Sequence, residues 1–454
     1  MSEPGREVAR PAAARLPSRA RLQEWADKAI EVAQAARADA WELVVSGGSA
    51  LSVSVRLGEV ESVQFQRDRD LSMTVYYGQR SGSASTSDLS PSGIAEIVRA
   101  ACDIARASEA DPCAGLPEAG ELAREDPELD LYHPWDLPAE TACDVARQCE
   151  ARGLALDERL KGSEGAGVDT REGCTLLCNS LGFAGYRRST SHSIGCSLVA
   201  EDAAGKEQGS WYTASRVVDE LDAAGDVGAE AGRRAVARLG ARTLAPQRVP
   251  VVYEAPVARG LLGQFCAAIS GGALYRRASF LLDRVGQPVF SSTVNLHQRP
   301  YLPRGPASAA WDSEGVATRD RELVVGGVLR GYLLGSYSAR KLGLRTTGNA
   351  GGVFNLLAEP TTGDLPILLE TMGRGLLVTE LMGQGVNLTT GNYSRGAAGF
   401  WVENGKIAYP VAGITLAGQL ADMFRGIRAI GDDVDRRGGI QTGSLLIDGL
   451  TIAS

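Results

Sequence analysis

The chain contains 454 residues, of which 44% are hydrophobic and 22% are charged. This composition is typical of a globular protein and excludes a largely disordered chain, and the length predicts two or three domains, of which we expect two. The formal net charge of −8 opposes binding to phosphate backbones, so nucleic acid is not an expected partner.

The N-terminus and the cysteines bear on localisation. Residues 1–20 mix Arg, Pro and Ala without the continuous apolar segment of a secretory signal, and we interpret them as a disordered tail. Gly or a charged residue interrupts every apolar run before it reaches the length of a membrane-spanning helix. Eight cysteines without an export signal are typical of reduced, buried thiols. The sequence therefore predicts a soluble cytoplasmic protein with no membrane partner.

The first half of the chain alternates between two kinds of periodicity. Apolar residues three and four apart predict an amphipathic helix over 19–38, and alternating residues predict strands in 51–57 and 63–77. Ser90 followed by Pro91 predicts the N-cap and first position of a second helix.

The same mixture continues up to a proline-containing stretch. We expect a helix after Pro138, strands within 167–200 and a helix over 227–239. Residues 241–250 contain two prolines and no amphipathic period, so they are the candidate linker. The sequence therefore predicts an N-terminal α+β domain over 21–240.

The second half, 250–454, is rich in glycine, and we expect a C-terminal β-sheet domain with packed helices. Asn404 and Gly405 form a two-residue hairpin signature between two apolar stretches. Residues 415–430 have the spacing of a helix packed on that sheet. The fold class is thus α+β with two domains.

Motifs of self-contained metal or nucleotide chemistry are missing. None of the three histidines, His133, His192 and His297, lies in an HExxH or HExxxH helix. The chain also lacks a GxxxxGK[ST] loop and a GxGxxG turn between a strand and a helix. These absences argue against a complete zinc peptidase and against a nucleotide-binding enzyme.

Four potential zinc ligands do fall close together: Cys174, Cys178, His192 and Cys196. Their segment has the alternation of extended strands, in which cysteines more often pack as buried thiols. We favour buried thiols, and metal binding by these four residues stays open.

Isolated nucleophiles offer a second kind of candidate. Cys266 could be paired with His297, and Ser313, Ser336 or Ser338 could act as a nucleophile, but no GxSxG elbow supports any of them.

Other polar residues have simpler interpretations. His133 lies in a predicted loop and is expected to be a structural hydrogen-bonding residue rather than a general base. Asp312 and Glu314 are two apart, so they would share one face of a strand, where a solvated surface explains them as well as an acid pair does.

Distinctive short motifs run along most of the chain. They are GSAS at 82–85, TSDLSP at 86–91, DPCAG at 111–115, AISGGA at 268–273, DSEG at 312–315, SYSARKLG at 336–343, VTELMGQG at 378–385 and GNYSRGAAGFWVENG at 391–405. Together they strongly resemble the TldD/PmbA family, and within it the PmbA (TldE) branch that is labelled a modulator of DNA gyrase.

The resemblance implies a paired zinc metalloprotease. In that family the TldD branch carries HExxxH and zinc, whereas the PmbA branch lacks the motif and forms a heterodimer with TldD around a shared channel for unfolded or leader-bearing peptides. It implies no catalytic residue and no metal ligand in this chain, with zinc expected in the partner subunit.

The helix that would carry the motif is APVARGLLGQF at 255–265. Aligned on its Gly-Leu core, Ala255 and Arg259 stand at the histidine positions and Pro256 at the glutamate position. None of them can ligate zinc, and a guanidinium would repel the ion. The remaining TldD ligand, a cysteine near the C-terminus, corresponds to Thr442.

Polypeptide binding is then the remaining role. The glycine-rich segment 383–399 could present backbone groups to an extended substrate by strand addition. Within it Asn392, Tyr393, Ser394 and Arg395 are candidate substrate contacts, and Arg395 suits a carboxylate. These residues could equally shape only a turn and a subunit interface.

The leading hypothesis is therefore a non-catalytic subunit of a TldD/TldE-type heterodimer. The first alternative is a metal-free homo-oligomer, such as a homodimer, that binds peptides or acts like a chaperone. The second is a regulator that contacts gyrase through protein surfaces.

Overall fold

A computed structural model of the chain describes residues 16–203 and 205–453. These residues form two compact units, one of residues 16–116 and 130–239 and a second of 117–129 and 240–453. The short segment 117–129 thus belongs to the same unit as the C-terminal half of the chain. The N-terminal domain predicted from sequence, 21–240, instead includes this segment. In the described part of the chain, no helix is long and apolar enough to cross a membrane.

The predicted tail falls mostly outside the described residues, which begin at residue 16. Its last two residues are not tail, because the first helix begins at Arg19. The Ser18 hydroxyl caps that helix by accepting a hydrogen bond from the Arg21 N–H at 3.1 Å.

Unit 1 is a six-stranded antiparallel sheet with four helices among its described residues. In chain order the elements are α1 Arg19–Ala35, β1 Ala40–Arg56, β2 Glu59–Tyr77, β3 Arg80–Thr86, α2 Pro91–Ala107, α3 Ala139–Leu154, β4 Leu160–Asn179, β5 Ala184–Asp202, β6 Gly205–Ser215 and α4 Ala224–Ala237. The strand order is β3-β2-β1-β4-β5-β6.

The helices of unit 1 cover the sheet through two apolar clusters. Helices α1 and α2 pack with one cluster, which includes Leu43, Met73 and Cys174, and α3 and α4 pack with the other, which includes Val53 and Cys196. The predicted cap of α2 is confirmed, since the Ser90 hydroxyl accepts from the Gly93 N–H at 3.1 Å.

Unit 2 contains two sheets and several short helices. Its elements are β7 Gln247–Tyr253, α5 Ala255–Ala268, α6 Gly271–Tyr275, β8 Leu296–Gln298, β9 Arg321–Val325, β10 Val328–Leu329, α7 Ser336–Lys341, β11 Leu356–Ala358, α8 Leu365–Met372, β12 Gly375–Met382, β13 Val386–Asn387, β14 Asn392–Glu403, β15 Lys406–Gln419, α9 Leu420–Arg425, β16 Ile427–Ile430, β17 Ile440–Gln441 and β18 Leu445–Ala453. The smaller sheet has the order β10-β9-β8-β11-β17. The α+β class predicted from sequence is confirmed.

The larger sheet of unit 2 closes on itself. Its strands pair in the circuit β12-β7-β18-β15-β14 and back to β12. Closure requires a close approach at Gly399, where an added Cβ would lie 1.9 Å from the Leu377 carbonyl oxygen. The predicted hairpin at Asn404 and Gly405 joins β14 to β15, and both turn residues have positive φ, as that turn requires.

The helix predicted over 415–430 is wrong. Strand β15 continues to Gln419, a short α9 follows, and β16 begins at Ile427. Residues 415–417 pair with the C-terminal strand β18, so tertiary pairing decides the local conformation.

Helix α5 is anchored in the main apolar cluster of unit 2. Leu262 and Phe265 on this helix are fully buried. The Phe265 ring packs edge-on against Phe290 at 4.9 Å, and Phe290 stacks on Phe424 at 4.6 Å. Burial of each such side chain stabilises the fold by roughly 1.5–3 kcal/mol. The helix that aligns with the zinc motif is therefore held rigidly.

Candidate functional site at the start of helix α5

The first turn of α5 is held by the C-terminal segment. The Ala255 N–H donates to the Ser444 hydroxyl at 3.0 Å, which satisfies one of the free N–H groups at the helix start. The Ser444 hydroxyl in turn donates to Asp433 Oδ2 at 2.6 Å, and the Ser444 N–H donates to Asp433 Oδ1 at 2.9 Å. Pro256 fits here because its missing N–H would have no helical partner.

One turn further along α5, Arg259 meets a buried carboxylate. Its Nη1 lies 3.6 Å from Asp435 Oδ2, and the Asp435 side chain is only 3% exposed. Arg437 binds both oxygens of Asp435, with Nε at 2.9 Å and Nη2 at 3.0 Å. Burial would raise the pKa of Asp435, but the hydrogen bonds and charge of Arg437, assisted by Arg259, outweigh it and hold the pKa below its ordinary value.

Thr442 lies beside these groups and is fully buried. Its carbonyl oxygen accepts from the Asp435 N–H at 3.1 Å, and its hydroxyl donates to the Gly443 carbonyl at 3.0 Å. The structure therefore brings Ala255, Arg259 and Thr442 to one place, through contacts with Ser444 and Asp435 that sequence reasoning missed. The acidic run around 432–435 was the available signal.

The spacing of HExxxH shifts part of the sequence alignment by one residue. The two histidines of that motif are five residues apart, so Arg259 at the second position places the first at Glu254 and the glutamate at Ala255 rather than Pro256. Residues five apart on a regular helix point about 140° away from each other. Glu254 avoids this divergence because it precedes the helix with extended backbone, at ψ 144°.

The residues at these positions do not fit a zinc ion. Glu254 offers one carboxylate, but Ala255 offers no donor, Arg259 is a cation and Thr442 has a neutral hydroxyl instead of a thiolate. Within residues 16–203 and 205–453, no group of three or more His, Cys, Asp or Glu side chains is arranged to hold a metal ion.

The four predicted substrate contacts lie on two sides of β14. Tyr393 is 3% exposed and Arg395 is half-buried, whereas Asn392 and Ser394 are exposed. Alternation along a strand explains the division, because residues two apart share a face. The structure thus brings Tyr393 and Arg395 together and leaves Asn392 and Ser394 on the other face.

Tyr393 connects β14 to the start of α5. The Tyr253 hydroxyl donates to the Tyr393 hydroxyl at 3.3 Å although β12 lies between their strands in the sheet. Tyr253 is the last residue of β7 and immediately precedes Glu254. Burial raises the pKa of Tyr253 well above its ordinary value, and the neighbouring Tyr393 raises it further, whereas the charge of Arg395 opposes the shift.

Strand addition at the 383–399 segment is restricted by the pairing of β14. Ser394 pairs with Ala417 on β15, and its N–H donates to the Gly385 carbonyl on the other side at 2.6 Å. Gly396 lies between Met382 and Thr415 in the same way. Both edges of β14 are therefore occupied, and a peptide that contacts this strand must do so through side chains.

The cysteine and histidine cluster of unit 1 is not assembled. Cys174 and Cys178 lie in the cluster under α1 and α2, whereas Cys196 lies in the cluster under α3 and α4. Burial raises the pKa of the Cys178 thiol to about 12. The buried-thiol interpretation is confirmed, because all three are buried and free.

His192 uses both ring nitrogens within the protein. Its Nε2–H donates to the His133 carbonyl at 2.9 Å, and its Nδ1 is 2.8 Å from the Thr170 hydroxyl. Burial lowers the pKa of His192, which favours this neutral ring. The His133 ring bonds to the Asp130 carbonyl at 3.0 Å, as expected of a structural residue.

The isolated nucleophile candidates have no catalytic surroundings in the described chain. Cys266 is buried in the apolar cluster around α5, and burial raises its pKa to about 12. The two ring nitrogens of His297 face the carboxylates of Glu322 and Glu359. The Ser313 hydroxyl donates to the Ala350 carbonyl at 2.7 Å.

Asp312 and Glu314 form neither a strand face nor a solvated surface. Asp312 is 1% exposed and accepts N–H groups from Glu314 and Val316 at 2.9 and 3.0 Å through Oδ1 and from Ala350 at 2.9 Å through Oδ2. Glu314 Oε2 accepts the Ser336 N–H at 2.8 Å. These carboxylates hold loops, a role that spacing alone did not reveal.

A cavity of about 540 Å³ lies beside α7, between residues 118–121 and 336–346. Ser336 is one of the residues that line it, and the Ser336 hydroxyl is buried without a hydrogen-bond partner among the described residues. Ser338 instead donates to the Gly335 carbonyl at 3.1 Å. Neither serine is accompanied by a base of the kind that nucleophilic catalysis needs.

Three family models match most of the chain. The PmbA/TldA metallopeptidase domain 1 family matches residues 41–105, its central domain family matches 132–239 and its C-terminal domain family matches 246–454. The chain is 46% identical to the metalloprotease PmbA homolog of Haemophilus influenzae, across 95% of this chain and 96% of that protein. It is 44% identical to metalloprotease PmbA of Escherichia coli O157:H7, with the same coverage.

A solved structure from Bacteroides thetaiotaomicron, named as a modulator of DNA gyrase, shares the whole fold. It superposes with a TM-score of 0.90 at 25% identity and covers 95% of this chain and 98% of its own. The family models and the relatives define a metalloprotease-like protein. The chain belongs to the PmbA/TldD family, and the resemblance seen in the sequence motifs is confirmed.

Proposed function

We propose that this chain is the non-catalytic subunit of a TldD/TldE-type zinc metalloprotease heterodimer, whose other subunit carries HExxxH and the zinc ion. The observation that carries the proposal is the ion cluster of Arg259, Asp435 and Arg437 at the motif position. Two guanidinium groups beside that position disfavour a divalent cation there.

The architecture around the substituted motif supports a role other than zinc binding. The Ala255 N–H, Ser444 and Asp433 form a continuous hydrogen-bonded chain at the start of α5. A helix start held in this way can complete a channel for the partner subunit without contributing a catalytic group. The expected substrate is an unfolded or leader-bearing peptide, which Tyr393 and Arg395 would contact.

Localisation in the cytoplasm is part of the same proposal. The seven buried cysteines are free thiols, which suits a reducing compartment.

Reconstitution with the HExxxH paralogue tests the proposal. Each subunit is purified alone, the two are mixed, and cleavage of an unfolded peptide is followed together with the zinc content of each chain. We expect cleavage by the mixture only, with zinc in the paralogue. Equal cleavage by the paralogue without this chain would refute the subunit role, and size-exclusion chromatography of this chain alone identifies a homo-oligomer.

A second candidate follows from the name of the Bacteroides relative. A chain with net charge −8 would act on gyrase through protein contacts rather than through DNA. Affinity capture with this chain as bait should then recover gyrase, and failure to recover it from a lysate that contains gyrase would count against this role.

A further inference from the structure

Arg395 has a buried side-chain nitrogen that no described residue satisfies. Within 16–203 and 205–453 its Nε is buried without a hydrogen-bond partner. Buried polar groups are nearly always hydrogen-bonded. An arginine in this state indicates an acceptor that comes from outside the chain.

Tyr393 supplies a second donor at the same place. Its hydroxyl accepts the proton of Tyr253 at 3.3 Å, which leaves its own O–H free to donate. Tyr393 and Arg395 are two apart on β14, so both side chains lie on one face of the strand. Burial raises the pKa of both tyrosines, and the nearby charge of Arg395 opposes this rise.

Together, Tyr253, Tyr393 and Arg395 have the chemistry of an anion-binding site that is open to solvent on one side. Tyr253 is fully buried and fixes the orientation of Tyr393, while the half-buried Arg395 provides the approach from solvent. A guanidinium presents a planar fork of N–H donors that matches the two oxygens of a carboxylate.

We infer that Arg395 and Tyr393, oriented by Tyr253, form a subsite that binds a carboxylate of the peptide substrate. The choice of a peptide rests on the proposed function, whereas the choice of a carboxylate rests on the donors alone. The carboxylate can come from the C-terminus of the peptide or from an Asp or Glu side chain, and the two sources share this chemistry.

Three fluorescein-labelled, unstructured decapeptides distinguish the sources. One has a free C-terminus and no acidic residue, the second has an amidated C-terminus and one central Glu, and the third is amidated with Gln at that position. Fluorescence anisotropy measures their binding to the full chain alone and to its complex with the HExxxH paralogue. We expect the third peptide to bind about ten- to a hundredfold more weakly than at least one of the others.

Substitutions then locate the subsite. R395Q should remove the preference for the carboxylate peptide. R395K should keep part of that preference, because the positive charge stays while the planar fork of guanidinium N–H donors is lost. Y393F should reduce the preference, because it removes the hydroxyl and leaves the ring in place. R428Q is the matched control, since Arg428 is an exposed arginine of the same unit that pairs with Asp448 at 3.3 Å. Thermal unfolding identifies any variant that fails to fold.

Each result decides the inference. Preference for the free C-terminus, for Glu or for both supports the subsite and names the source. Equal binding of the three peptides by the wild-type chain, absence of binding, or an unchanged preference in a folded R395Q chain overturns it. The proposed function fails separately, when peptide cleavage by the paralogue does not depend on this chain.

Discussion

Arg259 Nη1 lies 3.6 Å from Asp435 Oδ2, so this ion pair occupies the position that the alignment made from sequence predicts for the second histidine of the zinc motif. Asp435 is almost fully buried and also binds Arg437, so its loss removes the anion for two guanidinium groups. We expect D435N to lower the free energy of unfolding by about 3 kcal/mol. R259Q should cost about 1 kcal/mol, because Arg259 is one-third exposed and the Arg437 bonds remain. Urea unfolding measures both, and equal losses would contradict this order.

The same carboxylate predicts a dependence on pH. The pKa of Asp435 in the folded chain lies below its ordinary value of 3.8. Its contribution to stability is therefore complete above pH 3.8 and is lost as the pH falls through the lower, folded value. Urea unfolding between pH 6 and pH 3 should show a smaller acid loss of stability in D435N than in the wild type. D448N, at an exposed pair, is the control and should follow the wild-type curve.

Ser444 links the start of α5 to Asp433. S444A removes the acceptor of the Ala255 N–H and the donor to Asp433 Oδ2, within a buried site. We expect a loss of about 2 kcal/mol in the free energy of unfolding. S394A, at an exposed serine of the same unit, should change stability by about 0.5 kcal/mol or less. Comparable losses in the two variants would show that the Ser444 contacts add no stability.

The thiols offer a test of the buried-cysteine interpretation. Seven cysteines are buried and Cys113 is partly exposed. Burial raises the pKa of Cys178 and of Cys266 to about 12, so their thiolate fraction near pH 8 is very small. A colorimetric disulfide reagent should therefore react quickly with Cys113 alone in the native chain and with all cysteines after denaturation. Rapid native reaction of several thiols, or stoichiometric zinc release on denaturation, would contradict this prediction.

Local signals in the sequence predict local structure well. Ser90 and Pro91 define a helix start, and Asn404 with Gly405 defines a hairpin, because the capping bond and the positive φ values involve only neighbouring residues. The helix predicted over 415–430 is wrong because this segment contains the end of a strand, a short helix and the next strand. The apolar residues of these three elements happen to have the spacing of one helix.

The site itself depends on contacts between distant residues. Tyr253 and Tyr393 are 140 positions apart, and Ala255 and Ser444 are 189 apart. Periodicity carries no information on such pairs, whereas the family resemblance indicated the Ala255, Arg259 and Thr442 positions without their surroundings. The pairing of β14 on both edges was also invisible, because it follows from closure of the strand circuit.

Restoring the missing ligands tests the alignment of α5 directly. The combined variant E254H/A255E/R259H/T442C introduces two histidines, the motif glutamate and the cysteine, and it removes the Arg259 charge. We expect this chain to bind one zinc ion, because the hydrogen bond from the residue 255 N–H to the Ser444 hydroxyl already holds the start of α5 against the C-terminal segment. The variant that retains Thr442 lacks the thiolate and should bind zinc at least about tenfold more weakly. Zinc content after dialysis and competition with a chelator give the affinities, and circular dichroism confirms folding. If the folded combined variant holds no zinc, Glu254 and Thr442 are not the positions of the first histidine and the cysteine.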